Sequence, residues 1–530
     1  MVRWALAALL LYVCFFSQLD ALGLVGPDEP RYATIARGMA ETGDWVTPRL
    51  DSKGWFEKPV LLYWTAGAAM WLRGGDETAA RLPSALAALV TALALAYAGV
   101  RHYGAGAAWA VVLMFPTSVG VFAFARAATT DMLFSASLCL AMLAAAQMLA
   151  PWSNLREGPC CPILWLRIAL GLFLGLAALA KGPAAILLAG GSVALWTLAT
   201  QRWRDPLKFL HPVCMVCFAA VAAPWYALVA LRNPEFVDVF FFSHNVQRFL
   251  TPVFRHEQPF WFFGPILLLG LLPWTVLLYP AASEGRRLWR ENAWRQSSGF
   301  FFACWAAFPL LFFSLSKSKL PGYVLPSLPP LALLLAVSLA RCMEARRTSG
   351  RWMLAAIGGT LAGLVLSAEY WLKRLPEETG FREPAHFLPA LAAFAAAGAL
   401  IALAALAGRQ SAALVAAALL LGVLLECINR VVLPQLDAHL SPRTAAEVYQ
   451  ALPSQPAAPQ VYQMHRAWHY GLNFYQRQEL REWDPRSGQP AWIYASRQGL
   501  EEMEKRGVPH VVVSRIADRV SLVRVAGRPR

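Results

Sequence analysis

The sequence predicts an α-helical polytopic membrane protein with about thirteen transmembrane helices, followed by a small α/β domain. Three observations predict it. Hydrophobic residues fill 58% of the 530 positions and charged residues only 15%, whereas soluble domains carry roughly a quarter charged. Uncharged runs such as Ser84 to Val100 and Phe387 to Leu406 approach the ~20 residues that cross a bilayer. From about Pro434 the composition changes and no further run of that kind follows.

Spans are expected at residues 4–16, 82–100, 106–124, 132–150, 164–180, 184–199, 211–230, 261–280, 299–315, 323–341, 352–371, 387–407 and 411–432. The first, preceded by Arg3, mimics a signal peptide. No small-residue cleavage site follows it, so an uncleaved helix is expected. The formal net charge of +15, from 47 Lys and Arg against 32 Asp and Glu, would point to nucleic acid in a soluble chain. Here much of the excess lies in short connections between spans: Arg202/Arg204/Lys208, Arg286/Arg287/Arg290/Arg295 and Arg341/Arg346/Arg347/Arg351. The positive-inside rule places these in the cytoplasm. The expected partner is therefore the lipid bilayer, and no nucleic acid.

An odd number of spans then puts the N-terminus inside and the C-terminus outside. Residues 26–81, the turns at 125–131 and 181–183, and residues 231–260, 316–322 and 372–386 face outward. The domains expected are a membrane domain over 1–433 and an outer α/β domain over 434–530. Within the latter, Gln460 to Gln463, Trp492 to Ala495 and His510 to Ser514 read as strands and Gln498 to Arg506 as a charged helix. Most of the nine cysteines lie in apolar segments, and Cys214 and Cys217 have redox spacing without a βαβ context, so no disulfide framework is expected.

The outward connections hold most of the residues that look chemical. The first reads Gly26-Pro27-Asp28-Glu29-Pro30-Arg31-Tyr32, then Gly43-Asp44-Trp45-Val46-Thr47-Pro48, then Trp55-Phe56-Glu57-Lys58-Pro59. Ionisable groups beside apolar surface are costly unless paired, which makes them functional candidates; an amphipathic interfacial helix is the plainer alternative. Arg126-Ala-Ala-Thr-Thr-Asp131 closes one span and opens the next, either as a helix-end ion pair or as part of a site. Lys181-Gly182-Pro183 is a turn too short to be a solvated loop, with a snorkelling lysine as the competing reading. Ser316-Lys317-Ser318-Lys319-Leu320-Pro321-Gly322-Tyr323 is a basic turn on the side where orientation does not call for cations. His244, Arg248 and His256 lie between the seventh and eighth spans, and neither histidine sits in a compact metal motif. Together these elements supply cations for phosphate, carboxylates, and aromatics for a sugar face or lipid chain. A membrane enzyme acting on lipid-linked phosphosugars needs all three.

In order and spacing, Asp28-Glu29-Pro30-Arg31-Tyr32, Gly43-Asp44-Trp45-Val46, Phe56-Glu57-Lys58-Pro59, Lys181-Gly182-Pro183 and Lys319-Leu320-Pro321-Gly322-Tyr323 resemble the bacterial lipid A aminoarabinose transferases. Those are ArnT-like members of the protein-mannosyltransferase-like group with the GT-C fold, and the resemblance runs over most of the membrane region. It implies transfer of 4-amino-4-deoxy-L-arabinose from undecaprenyl phosphate to a phosphate of lipid A, at the periplasmic face of the bacterial inner membrane. Such a modification favours resistance to polymyxin and other cationic peptides.

The resemblance also implies roles. Asp28 is the loop carboxylate beside the donor anomeric carbon, Asp131 the second catalytic carboxylate, and Lys58 the cation at the donor phosphate. Arg31, Tyr32, Trp55 and Arg248 complete the substrate site, while Lys181 and Tyr323 flank the lipid-carrier phosphate. Glu57 and a loop histidine, best matched by His244 with His256 as the alternative, hold a divalent metal, zinc or magnesium. Trp55 stands where the family usually has tyrosine and Val60 where it has a second proline; both departures touch the pocket and hence the sugar. The competing reading is a related transferase that moves another sugar from a polyprenyl phosphate to a glycolipid, protein or polymer. A transporter would show inverted repeats and broken helices near the midplane, and no such repeat is read here.

Overall fold

The structure, a computed structural model, describes residues 2–149, 162–247, 257–344, 348–372, 374, 388–453, 458–487, 489–517 and 519–526. Among these, nine helices are long and apolar enough to cross a membrane. Two bent helix pairs and the shorter apolar helices Arg3–Phe15 and Ala184–Thr200 bring the apolar segments to thirteen, at the places the hydropathy pattern marks.

Two of the expected straight spans are broken. Ala105–Met114 and Val119–Ala125 meet at 64°, and Phe260–Gly270 and Trp274–Arg290 at 108°. At the first break Pro116 brings no N–H, and the hydroxyls of Thr117 and Ser118 bond back to the carbonyls of Leu113 (2.6 Å) and Met114 (2.8 Å). Those bonds take acceptors that the helix ladder would otherwise use. The second break contains Pro273, and the two breaks touch: Val119 N–H donates to the Leu272 carbonyl at 3.1 Å. A Cβ on Gly120 would stand 3.0 Å from the Gly270 Cα, tighter than an ordinary contact, so glycine favours this approach.

The long first connection is ordered by its own chemistry. A loop helix, Asp28–Thr42, opens with two acidic residues in its first turn and stops at Gly43, whose φ of 72° suits the left-handed position after a helix. The Asp44 carboxylate accepts from the N–H groups of Val46 and Thr47. Trp64 Nε1 and Trp225 Nε1 donate to the carbonyls of Trp45 and Val46 at 2.7 and 3.0 Å. The Gly43–Pro48 motif is thus a latch between connection and bundle. A short hairpin, β1 (Arg49–Leu50) with β2 (Lys53–Gly54), and the helix Leu61–Arg73 lead to the next span.

Beyond the last span, four strands form one sheet in the order β3-β4-β6-β5: β3 Gln460–Tyr462, β4 Ala491–Ser496, β5 His510–Ile516 and β6 Val520–Val525. β3 runs parallel to β4, and the other pairings are antiparallel, with Ala491 opposite Val525 and Ser496 opposite Val520. Residues alternate between faces: Ile493 and Ala495 bury with Leu500 and Met503, and Tyr494 buries with Leu472 and Tyr449. The helix Arg497–Lys505 is capped by Ser496, whose hydroxyl accepts from Gly499 N–H. The three strands and helix expected are present; β6 was not expected.

This unit is tied to the first connection. Arg37 donates to the Phe474 carbonyl at 2.8 Å, and the Tyr475 hydroxyl accepts from Leu24 N–H and donates to Glu77. Asp437 accepts from Gly23 N–H at 2.7 Å, and Arg443 joins Asp437 to Glu77. The helix Arg466–Gln476 is thereby laid on the loop helix.

Candidate active site

The outward turns converge on a cavity of about 460 Å³. Its membrane wall is made at the ends of spans: Asp131 at the start of Thr130–Met148, Lys181 at the end of Ile163–Lys181, and Gly322 and Tyr323 at the start of Pro321–Glu344. Its cover is made by Asp28, Arg31 and Tyr32 of the loop helix, by Glu57 and Lys58, and by Arg466 of the C-terminal unit. His244, in the helix Asp238–Gln247, also lines it. Because the chain alternates direction at each span, the basic connections at 202–208 and 286–295 lie at the opposite end of the bundle.

Two ion-pair clusters order the charges in the cavity. The Arg31 guanidinium meets Asp28 Oδ1 at 2.5 Å and Glu57 Oε2 at 3.2 Å. Its face lies over the Trp55 ring (4.7 Å) and near Tyr470 (5.9 Å). Trp55 therefore reaches the site through Arg31, as a stacking support rather than as cavity lining. Burial opposes the charge on Arg31, but Glu57 and Asp28 outweigh it, and the guanidinium is held more firmly protonated than usual. Burial, then the same carboxylates, push the Tyr32 phenol well up, so it stays a neutral donor. On the membrane wall Lys181 Nζ meets Asp131 Oδ1 at 2.5 Å. Lys181 also sits over the rings of Phe134 and Tyr323, at 5.4 and 5.3 Å.

Nine of the expected residues share this cavity: Asp28, Arg31, Tyr32, Glu57, Lys58, Asp131, Lys181, His244 and Tyr323. Arg248 and His256 lie outside the described residues. Arg126 does not pair with Asp131; it turns back and donates to the carbonyls of Ser17 and Gln18, each at 2.6 Å. Lys319 is buried in its own turn, Nζ on the Ser316 carbonyl at 2.6 Å, and does not line the cavity. The basic turn is thus braced by its own lysine, which does not face the cavity.

Three features escaped the sequence. The first is the buried pair of Glu29 and Arg81. Glu29 accepts from Arg81 Nε and Nη2 (3.0 and 2.8 Å), from Val25 N–H (2.9 Å) and from Ala128 N–H (2.7 Å). Arg81 also donates to the carbonyls of Leu19, Leu22 and Gly23. One carboxylate thus fixes the loop helix, which carries Asp28, to the turn that carries Asp131. The second is Arg466, which lies in no motif and far along the chain from Tyr323, yet in the cavity. The third is the close approach of Gly322 to Asp131.

Zinc sites usually hold three or four protein ligands. Glu57 and His244 line the same cavity, but one Glu57 oxygen faces Arg31, and among the described residues no group of three or more His, Cys, Asp or Glu is placed to hold a metal. The pair by itself falls short of the three or four ligands of a zinc site.

Residues 4–240 match the family model of dolichyl-phosphate-mannose-protein mannosyltransferases. The chain is 32% identical over 379 residues to an undecaprenyl phosphate-α-4-amino-4-deoxy-L-arabinose arabinosyl transferase of Edwardsiella ictaluri, covering 70% of this chain and 67% of the relative. It is 34% identical over 364 residues to the protein of that name from Serratia proteamaculans, covering 68% and 63%. The alignments thus span about two thirds of those relatives. Over nearly the whole length, 98% of this chain and 97% of the other, it superimposes on the crystal structure of ArnT from Cupriavidus metallidurans bound to undecaprenyl phosphate, with a TM-score of 0.80 and 26% identity.

A bundle of thirteen apolar segments with a charged cavity at one end, under a small α/β unit, is a polytopic membrane glycosyltransferase of the GT-C fold. More narrowly, the chain belongs to the family of undecaprenyl phosphate-aminoarabinose arabinosyl transferases.

Proposed function

We propose that this chain moves 4-amino-4-deoxy-L-arabinose from undecaprenyl phosphate to a phosphate of lipid A, as a multi-pass protein of the bacterial inner membrane with its site facing the periplasm. The observation that carries this reading is the cavity. Three carboxylates, four cations and two tyrosines surround one space at the ends of the spans, in a chain of this family. On this reading residues 1–433 form the membrane domain and 434–530 the periplasmic one.

In the reaction the donor C1–O bond breaks, and its electron pair leaves on undecaprenyl phosphate. An oxygen of the acceptor phosphate forms the new bond to C1 from the opposite side, so the anomeric configuration inverts. Lys58, with Arg31 and Tyr32, meets the donor phosphate, and Lys181 and Tyr323 flank it from the membrane wall. Cations aimed at the charge growing on the leaving phosphate lower the barrier directly. Arg248 supplies a further substrate contact, and Trp55 keeps Arg31 in place. The acceptor phosphate is already ionised and needs no base. Asp28 and Asp131 instead hold the amino sugar and stabilise positive charge at C1. The added amine offsets lipid A charge, which weakens cationic peptides such as polymyxin.

The match to protein mannosyltransferases favours, as runner-up, a hexose or other sugar on the same carrier. A divalent ion, zinc or magnesium, between Glu57 and His244 is supported only by their sharing the cavity; chelation followed by metal add-back decides it. Transfer itself is tested with purified protein in nanodiscs, given aminoarabinosyl or hexosyl undecaprenyl phosphate and lipid A. Aminoarabinose transfer with inverted configuration supports the reading, and a retained configuration contradicts the single displacement.

A further inference from the structure

Phosphate-to-phosphate transfer brings two phosphates into one cavity, and the roles above account for the donor's. We infer that Arg466 binds the acceptor phosphate, so that the C-terminal unit forms the acceptor subsite. The inference rests on the transferase reading.

Three observations lead to it. The first is charge. Arg31 is engaged by Asp28 and Glu57, and Lys181 by Asp131, while Lys58 lies in the field of Asp131. Among the described residues no carboxylate pairs with Arg466, whose guanidinium offers five N–H donors in a fork that fits a phosphate. Three carboxylates and four cations leave the cavity one positive charge in excess, which suits a second anion.

The second is approach. Lys181 and Tyr323 stand at the ends of spans, where the phosphate of a membrane-anchored carrier arrives. Arg466 comes instead from the cover, on a helix docked on the loop helix by Arg37 with Phe474 and by Arg31 with Tyr470.

The third is exposure. Arg466 is the first residue of its helix, with His465 Nδ1 accepting from Ala467 N–H before it, so the side chain is exposed at the cavity mouth. An exposed guanidinium is open to a glycolipid entering from the periplasmic side.

The test uses full-length wild type, Arg466→Ala and Arg466→Lys in nanodiscs. Transfer kinetics are measured with donor and lipid A varied separately, alongside direct binding of bis-phosphorylated and dephosphorylated lipid A. Loss of a charge-assisted contact predicts that Arg466→Ala raises the acceptor KM roughly 10- to 100-fold with the donor KM unchanged, and that Arg466→Lys recovers part of it. Wild type is expected to bind the phosphorylated lipid better, and Arg466→Ala to lose that preference. A shift in donor KM instead, an acceptor KM within about twofold of wild type, or equal binding of both lipids by wild type would overturn the inference. Absence of transfer by wild type, with Arg466-dependent lipid A binding intact, would overturn the transferase reading alone.

Discussion

Gly322 lies against the Asp131 carboxylate so closely that a Cβ on it would stand 2.7 Å from Oδ1 and 2.9 Å from Cγ. The backbone of one outward turn is therefore a wall for the cavity carboxylate of another, and only glycine leaves room. Substituting alanine forces the turn or the carboxylate to move by several tenths of an ångström.

Gly322→Ala is accordingly expected to insert and fold normally yet lose turnover. Misplacing a reacting group by about 1 Å costs on the order of 100-fold, so a shift of several tenths predicts a loss of roughly 10-fold in single-turnover transfer. Wild-type rates would show that the close approach is incidental.

Lys181 and Asp131 form a salt bridge at 2.5 Å and are expected to act as a unit. Lys181→Ala and Asp131→Asn should each lower transfer by about 100-fold or more, and the double variant should be little worse than the poorer single one, because contacting residues do not add. Measured losses that multiply would mean that the two groups act independently.

Glu29 predicts a pH dependence of stability. Burial alone would raise its pKa, but the Arg81 charge and hydrogen bonds, with the N–H groups of Val25 and Ala128, hold it below the ordinary value of 4.5. A folded pKa below the unfolded one means that the stabilisation is fully present above about pH 4.5 and is lost as pH falls through the folded value. Removing one partner of a buried ion pair costs about 3–5 kcal/mol. Glu29→Gln should therefore lower the unfolding midpoint at pH 7, and its midpoint should depend less on acidification than that of wild type. Parallel acid profiles, followed by scanning fluorimetry in detergent, would remove Glu29 from this role.

How much of this the sequence disclosed follows from the physics of each signal. Spans were legible because twenty apolar residues in a row have one strong meaning. Their breaks were less so: Pro116 and Pro273 mark a weak point, but the angle depends on how Thr117, Ser118 and Gly270 pack. Cavity residues such as Asp28, Lys58, Asp131 and Lys181 were legible as charges in turns that neighbour the bilayer. Arg126 and Lys319 looked the same and proved to be backbone braces, because motif chemistry does not say which way a side chain turns. Arg466 left no local signal, since its place comes from docking a distant helix on Asp28–Thr42. The strand Val520–Val525 carries apolar residues at Val520, Leu522, Val523 and Val525, a pattern that the hairpin with His510–Ile516 makes readable only afterwards.

Mass spectrometry of lipid A most directly tests the central claim, in cells lacking the chain and complemented with wild type or with Asp28→Asn at matched membrane levels. The account predicts an aminopentose added to a lipid A phosphate with wild type, and none with the empty strain or with Asp28→Asn. Lipid A unchanged by the wild-type chain, or carrying a hexose instead, would contradict it, and full modification by Asp28→Asn would remove that carboxylate from the mechanism.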